Sequence, residues 1–314
     1  MVEKEKITIA SDAPGESMFM LGNQAIARGA IEAGVQVFAA YPGTPSSEAS
    51  ETIIDLSKEL GYYAEWSVNE KVAFEVAFGA STSGVRAMTA MKHVGLNVAL
   101  DALNSANYMG AVGGLVVLVA DDPGQWSSQN EQDSRFIAEQ AYLPVLEPSS
   151  AQEAKDMTEH AFRLSEEFGQ IFMLRSVTRI SHARGDVKLG PINKDKPEGE
   201  FKTENRARFI CMPAYSKKNR FIMIERLNRI KEAADELPYN SAKKVGGAKY
   251  GIIACGISYS YALEALRWLG LEDQVSVLKI GTPHPLPEKM VKDFLSSVPE
   301  VLVIEELEPF VENH

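Results

Sequence analysis

One carboxylate, Glu70, stands at the centre of Tyr63-Ala-Glu-Trp-Ser-Val-Asn-Glu-Lys-Val-Ala-Phe-Glu-Val-Ala-Phe-Gly79, ahead of positions that are nearly all small or apolar. A helix of that composition is expected to be buried, so the acid at its start needs a reason. One reason is chemical. Burial raises the pKa of a carboxyl group, and a carboxyl that keeps its proton near neutrality can give it to a basic ring nitrogen of a cofactor. The other reason is structural: Ser67-Val-Asn-Glu70 matches a capping box, in which the Glu reaches back to a backbone N–H. The residues alone leave both open. Glu75, five positions on, is on a different face and is expected to pack or pair locally.

Polar clusters also stand at the expected ends of strands, where open parallel sheets collect ligands. In Tyr41-Pro-Gly-Thr-Pro-Ser-Ser47, a helix starting at Thr44 would leave its hydroxyl and the Ser46 and Ser47 N–H groups to hold a carboxylate. Thr44 can equally be a plain N-cap with Pro45 at the first helical position. The two roles are compatible. In Lys92-His-Val-Gly-Leu-Asn97, His93 reads as a structural hydrogen-bonder or a catalyst, and Lys92 adds an anion-binding option. Asp121-Asp-Pro-Gly124 is turn chemistry. The polar run from Ser127 is long for a turn and suggests a loop lining a cleft. Arg135 can pair with Asp133 or reach a ligand carboxylate. Gly256-Ile-Ser258 lacks Gly-x-Gly-x-x-Gly and reads as an ordinary strand–helix turn.

Positioning these residues takes alternating strands and helices. The pattern predicts a helix over Met18–Gly34 stopped by Gly34, a strand over Val35–Tyr41, a helix from Thr44 to about Leu60, and the Glu70 helix. A strand over Arg86–Met91, a helix over Leu96–Gly110, and an unbroken apolar strand over Leu115–Ala120 follow. An amphipathic helix over Glu153–Phe168 and a strand over Ile171–Leu174 complete the unit. Strands that are apolar throughout, separated by helices, imply an α/β fold with a doubly wound parallel sheet. Residues 184–249 break this rhythm and carry one helix, about Phe221–Glu236. A smaller α/β unit follows, with strands over Tyr250–Cys255, Gln274–Ile280 and Val301–Ile304 and helices over Ser258–Leu269 and Glu288–Ser296. The expected division is 1–185, a basic linker over 186–249, and 250–314.

The 314 residues carry a net charge of −11, distributed unevenly. Residues 184–249 hold 16 Lys+Arg against 9 Asp+Glu, a net +7, so the remainder is −18. An acidic bulk argues against nucleic acid as the ligand. The basic segment is either a solvated linker or a docking face for an acidic protein. No run approaches a membrane span, and Met1–Lys6 lacks the apolar core of a secretion signal. Cys211 and Cys255, 44 positions apart, supply no metal or cluster site and fit a reducing cytoplasm.

Four motifs taken together resemble a known family. They are Tyr-Pro-Gly-Thr-Pro-Ser-Ser-Glu48, Trp-Ser-Val-Asn-Glu-Lys71, Met-Lys-His-Val-Gly-Leu-Asn97, and Asp121-Asp-Pro-Gly…Ser-Ser-Gln-Asn-Glu-Gln-Asp-Ser-Arg135. The sequence is similar to the large (α) subunit of the indolepyruvate:ferredoxin oxidoreductases, within the thiamine-diphosphate-dependent 2-oxoacid:ferredoxin oxidoreductases. The resemblance implies that residues 1–185 are the pyrimidine-binding domain and that the unit after 250 is like a transketolase C-terminal domain. It implies Glu70 as the acid that activates the aminopyrimidine, with Pro42 and Thr44 beside the cofactor. Thr44, Lys92, His93 and Arg135 are the candidates for holding the substrate. The implied reaction is oxidative decarboxylation of an aryl 2-oxoacid to an acyl-CoA, with electrons passing through iron–sulfur clusters to ferredoxin.

The chain departs from the family pattern in one respect. The Gly-Asp-Gly…Asn motif that holds the diphosphate and Mg²⁺ is absent, since Arg184-Gly-Asp186 is followed by Val187. The resemblance therefore covers the front half of the α subunit, truncated or naturally split. No metal ligand is expected in this chain, and it is expected to be inactive without a diphosphate-binding half. Implied partners are that half, a β subunit, ferredoxin, CoA and a second copy of the domain. Two other readings stay open: a nonoxidative thiamine-dependent decarboxylase of two chains, and a noncatalytic assembly subunit of the same fold.

Overall fold

The computed structural model describes residues 7–314, position 205 by its backbone alone; Met1–Lys6, and with them the expectation about a secretion signal, lie outside the described residues. The first unit runs β1 (Ser17–Leu21), α1 (Gly22–Glu32), β2 (Val37–Ala40), α2 (Ser47–Leu60), β3 (Tyr63–Trp66), α3 (Glu70–Thr82), β4 (Ala87–Lys92), α4 (His93–Met109) and β5 (Leu115–Asp121). It continues through α5 (Ser134–Gln140), β6 (Val145–Leu146), α6 (Ala151–Phe168), β7 (Phe172–Val177), α7 (Thr178–Ser181) and β8 (Arg184–Lys188). Then come α8 (Pro213–Ala234), β9 (Ser241–Lys243), β10 (Tyr250–Cys255), α9 (Gly256–Leu269), β11 (Val275–Ile280), α10 (Glu288–Leu295), β12 (Glu300–Ile304) and α11 (Phe310–Asn313).

The main sheet has six parallel strands in the order β3-β2-β4-β5-β7-β6. Every residue of β4, β5 and β7 is buried, as expected of strands covered on both faces. One core lies under α1, α2 and α6, with Phe38, Met88, Phe162 and Leu174. The other lies under α3 and α4, with Phe74, Met91, Leu103 and Val117. β2 leads outward to β3, and β4 returns to the other side of β2. The strand order therefore reverses between β2 and β4, and the loops after those two strands flank the reversal.

Several expectations are corrected. Met18–Leu21 is not helical; it lies in β1, which pairs antiparallel with β8, and exposure alternates along it, Ser17 and Phe19 outward and Met20 buried. Gly34 does follow the end of α1, at φ +73°. The Glu70 helix is only half buried, with Ala73, Phe74, Ala77 and Ser81 inside and Glu75 and Gly79 exposed. The basic segment does not hang free, because its helix starts at Pro213 and buries Arg226. Arg226 and Arg208 donate to the last carbonyls of α4, including Asn107 O at 2.9 Å and Met109 O, groups that a helix C-terminus leaves unpaired. The C-terminal sheet has four strands, in the order β12-β10-β11-β9, since Ser241–Lys243 pairs antiparallel with β11. Among the described residues no helix is long and apolar enough to cross a membrane.

Candidate functional site

The carboxyl ends of β3, β2, β4, β5 and β7 lie in that order along one edge of the sheet, neighbouring strands about 5 Å apart. Glu70 follows β3, Thr44 follows β2, Lys92 and His93 close β4 and open α4, Asp122 follows β5, and Thr178 follows β7. The topology therefore brings these sequence-distant residues to one rim, centred on the reversal where open α/β sheets bind ligands.

At Glu70 the capping box does not form. Asn69 is the N-cap of α3 and its Oδ1 accepts from Val72 N at 2.9 Å. Ser67 donates instead to Glu65 Oε1 at 2.6 Å. Glu70 is thus the first helical residue, half-buried, and among the described residues no protein donor reaches its carboxyl group. The carboxyl lies against the first turn of α4, where an added Cβ on Gly95 would sit 2.4 Å from Glu70 Oε1.

Thr44 does not cap α2. The N-cap is Ser46, whose N–H and hydroxyl both donate to Gly43 O at 2.9 and 2.8 Å, so the Ser46 N–H is not free for an anion. The 41–46 loop is shaped by this turn, and Pro42 and Thr44 are left exposed at its tip. Its root is held by Asn23, fully buried at the start of α1, which donates to Pro45 O and Glu48 Oε2, each at 2.7 Å. Gly43 passes close to β4: an added Cβ would lie 2.9 Å from Lys92 Cβ.

Lys92 is almost wholly buried and donates to Ser127 O at 2.8 Å. Burial lowers its pKa, and the Asp122 anion opposes that. His93 is fully buried; its Nε2 lies 3.2 Å from Asn130 O, while Nδ1 has no partner among the described residues. A carbonyl can only accept, so that contact puts the proton on Nε2 and leaves Nδ1 a free acceptor. Both residues therefore grip the 121–135 loop from below. Asp122 closes that loop by accepting from Ser127 N (2.8 Å), Ser128 Oγ (2.6 Å) and Thr178 Oγ1 (2.6 Å). Burial would raise its pKa, but these hydrogen bonds and the Lys92 charge hold it at about 2.

Arg135 is the site residue that the structure removes from the rim. It is fully buried, and Asp133, Glu305, Glu306 O, Glu308 O and Cys255 Sγ take its donors. Its pKa is raised, because the carboxylates outweigh burial and the like charge of Arg175. None of its N–H groups remains for a substrate. Arg175 extends the cluster to Asp121 at 2.8 Å and Glu147 at 2.6 Å. Sequence reasoning missed Asn23, Gly95, Arg175 and Thr178. Gly95 stood inside the Lys92–Asn97 motif without being singled out, and the other three carried no local signal.

A cavity of about 820 Å³ lies elsewhere, between α4, α8 and the segment around Ala207 and Arg208.

The profile of the family described as pyruvate flavodoxin/ferredoxin oxidoreductase, thiamine-diphosphate-binding, matches residues 28–234. Indolepyruvate oxidoreductase subunit IorA of Pyrococcus horikoshii is 52% identical over 306 residues, 96% of this chain and 47% of that protein. The subunit of the same name from Archaeoglobus fulgidus is 51% identical over 314 residues, 98% and 49% of the two chains. The chain thus spans about half the length of the curated relatives it matches. The structure of 2-oxoglutarate:ferredoxin oxidoreductase from Magnetococcus marinus covers 91% of this chain and 57% of its own, with a TM-score of 0.78. At 20% identity that likeness speaks for the fold alone. On the match over 28–234, this chain belongs to the family of thiamine-diphosphate-binding domains of the pyruvate flavodoxin/ferredoxin oxidoreductases.

Proposed function

We propose that this chain is the pyrimidine-binding part of a cytoplasmic 2-oxoacid:ferredoxin oxidoreductase that decarboxylates an aryl pyruvate, indolepyruvate first among them, to an acyl-CoA. The observation that carries the reading is Glu70: a half-buried carboxyl with no protein donor among the described residues, fixed against α4 beside the strand reversal. These features fit the aminopyrimidine of thiamine diphosphate, which needs an acid free to meet a ring nitrogen. Thiamine diphosphate supplies an electron sink for the decarboxylation.

In this proposal Glu70 holds a proton at the ring nitrogen, and Pro42 and Thr44 border the ring from the neighbouring loop. Lys92 supports the anionic end of the substrate through its remaining donors, and His93, whose Nε2 proton goes to Asn130 O, braces the loop beneath it. Residues 1–185 form the pyrimidine-binding unit, 186–249 a basic connection, and the smaller unit lies over 250–314, with β9 drawn into its sheet. The diphosphate, Mg²⁺ and [4Fe-4S] clusters belong to other parts of the enzyme, which include a β subunit. The exposed side of α3, with the half-exposed Val98 of α4 beside it, supports a second copy of the domain as its cover.

The test compares Glu70→Gln with Glu70→Ala in the complete assembly. Both variants should lose turnover while their melting temperatures stay near that of the parent protein. Near-normal turnover in Glu70→Gln would remove the proton-holding role.

A further inference from the structure

Gly95 is the third residue of α4 and is buried. Its φ is not in the left-handed range, so the backbone does not call for glycine. Alanine is the better helix former at such a position. What glycine provides here is space. An ideal Cβ would lie 2.4 Å from Glu70 Oε1, 2.6 Å from Cγ and 2.7 Å from Cδ. Compare Gly22 and Gly29, where the nearest atoms are the backbone carbonyls of Ile180 and Lys155. Those glycines let main chains approach. At Gly95 all three near atoms belong to one side chain.

We infer that Gly95 is a positioning residue for Glu70, the absent methyl being the space in which the carboxyl lies. The inference rests on the proposed role of Glu70. Two separate devices then fix the acid. Asn69 locks the start of α3 through Val72 N, and Gly95 sets the direction of the side chain. No protein hydrogen bond shares in that task among the described residues, which leaves the carboxyl free for a ligand. A Glu side chain is flexible at its end, so a methyl at 95 can be admitted by rotating the carboxyl away. Folding is then spared while the acid is displaced by about an ångström.

The experiment makes Gly95→Ala, Glu70→Ala and the double variant in the complete assembly. It measures the melting temperature of cofactor-free protein and the hydrogen–deuterium exchange rate at C2 of bound thiamine diphosphate. The expected result is a melting temperature at or above that of the parent with exchange slowed roughly 100-fold, as a displacement of that size costs. In the double variant exchange should match Glu70→Ala alone. Parent-like exchange in Gly95→Ala beside slow exchange in Glu70→Ala overturns the inference and leaves the role of Glu70 standing. Fully additive losses overturn it as well, since Gly95 would then act elsewhere. Unchanged exchange in Glu70→Ala defeats the proposed function itself, and the inference with it. If Gly95→Ala fails to fold, recovery on adding Glu70→Ala supports the contact and failure to recover overturns it.

Discussion

Arg135 Nη1 donates to Glu305 Oε2 at 2.7 Å, tying the helix after β5 to the end of β12 across the two sheets. Both side chains are buried, and the same guanidinium also pairs with Asp133. An ion pair of this kind is a mutual requirement. Removing one partner leaves uncompensated charge out of water.

Arg135→Met should therefore destabilise the protein by about 3–5 kcal/mol, read from denaturant unfolding. Combining it with Glu305→Gln should restore part of the loss, because one orphaned carboxylate is then neutral. At temperatures where the variant stays folded, KM for the proposed 2-oxoacid substrate in the complete assembly should not change.

Asp122 gives a pH signature in the acid range. Its folded-state pKa is about 2 against an ordinary 3.8, set by burial, which raises it, and by Ser128, Thr178, Ser127 and Lys92, which lower it further. A depressed carboxylate stabilises the fold above its unfolded pKa, and the contribution fades as pH falls from about 4 towards 2. Its size is about 2 kcal/mol. Asp122→Asn should lose that stability at pH 7 and flatten the acid limb of a stability–pH curve.

His284 acts in a different window. Burial holds its pKa at about 4 against an ordinary 6.5, with Glu139 opposing the shift, and its Nε2 has no partner among the described residues. Between these two values the unfolded chain takes up a proton that the folded one refuses. Stability is therefore full above about pH 6.5 and declines towards pH 4, by up to about 3 kcal/mol. His284→Asn should abolish this slope in unfolding measured from pH 7 to pH 4.

The two thiols should separate cleanly. Cys211 is exposed and Cys255 buried. Burial, then the Glu147 charge, pushes the Cys255 thiol well up, against the opposing effect of Arg135. A thiol-specific reagent should label Cys211 in native protein and both cysteines in denaturant, as mass spectrometry of peptides would show.

The parallel sheet was legible because β5 reads as a nearly continuous apolar run and strand and helix patterns alternate around it, signals that need only local sequence. The Met18–Leu21 strand was not, because its pairing partner β8 is 163 residues further on in the register of Leu21 with Arg184. The small and apolar residues of the Glu70 helix suggested burial. In this chain one side of that helix faces outward, since composition reports what a face tolerates and not what covers it.

By itself the sequence determined the alternation of strands and helices, and so the rim where Thr44, Glu70, Lys92 and His93 would gather. Periodicity, glycine stops and apolar strands are rules of near neighbours. Only the tertiary structure decided what each polar group does there. It gave Ser67 to Glu65, turned Arg135 inward to Glu305, and left the Glu70 carboxyl against Gly95 with no protein donor among the described residues. The reason is that a side chain's chemistry depends on which partners reach it within about 3 Å, and those partners come from strands and helices far along the chain.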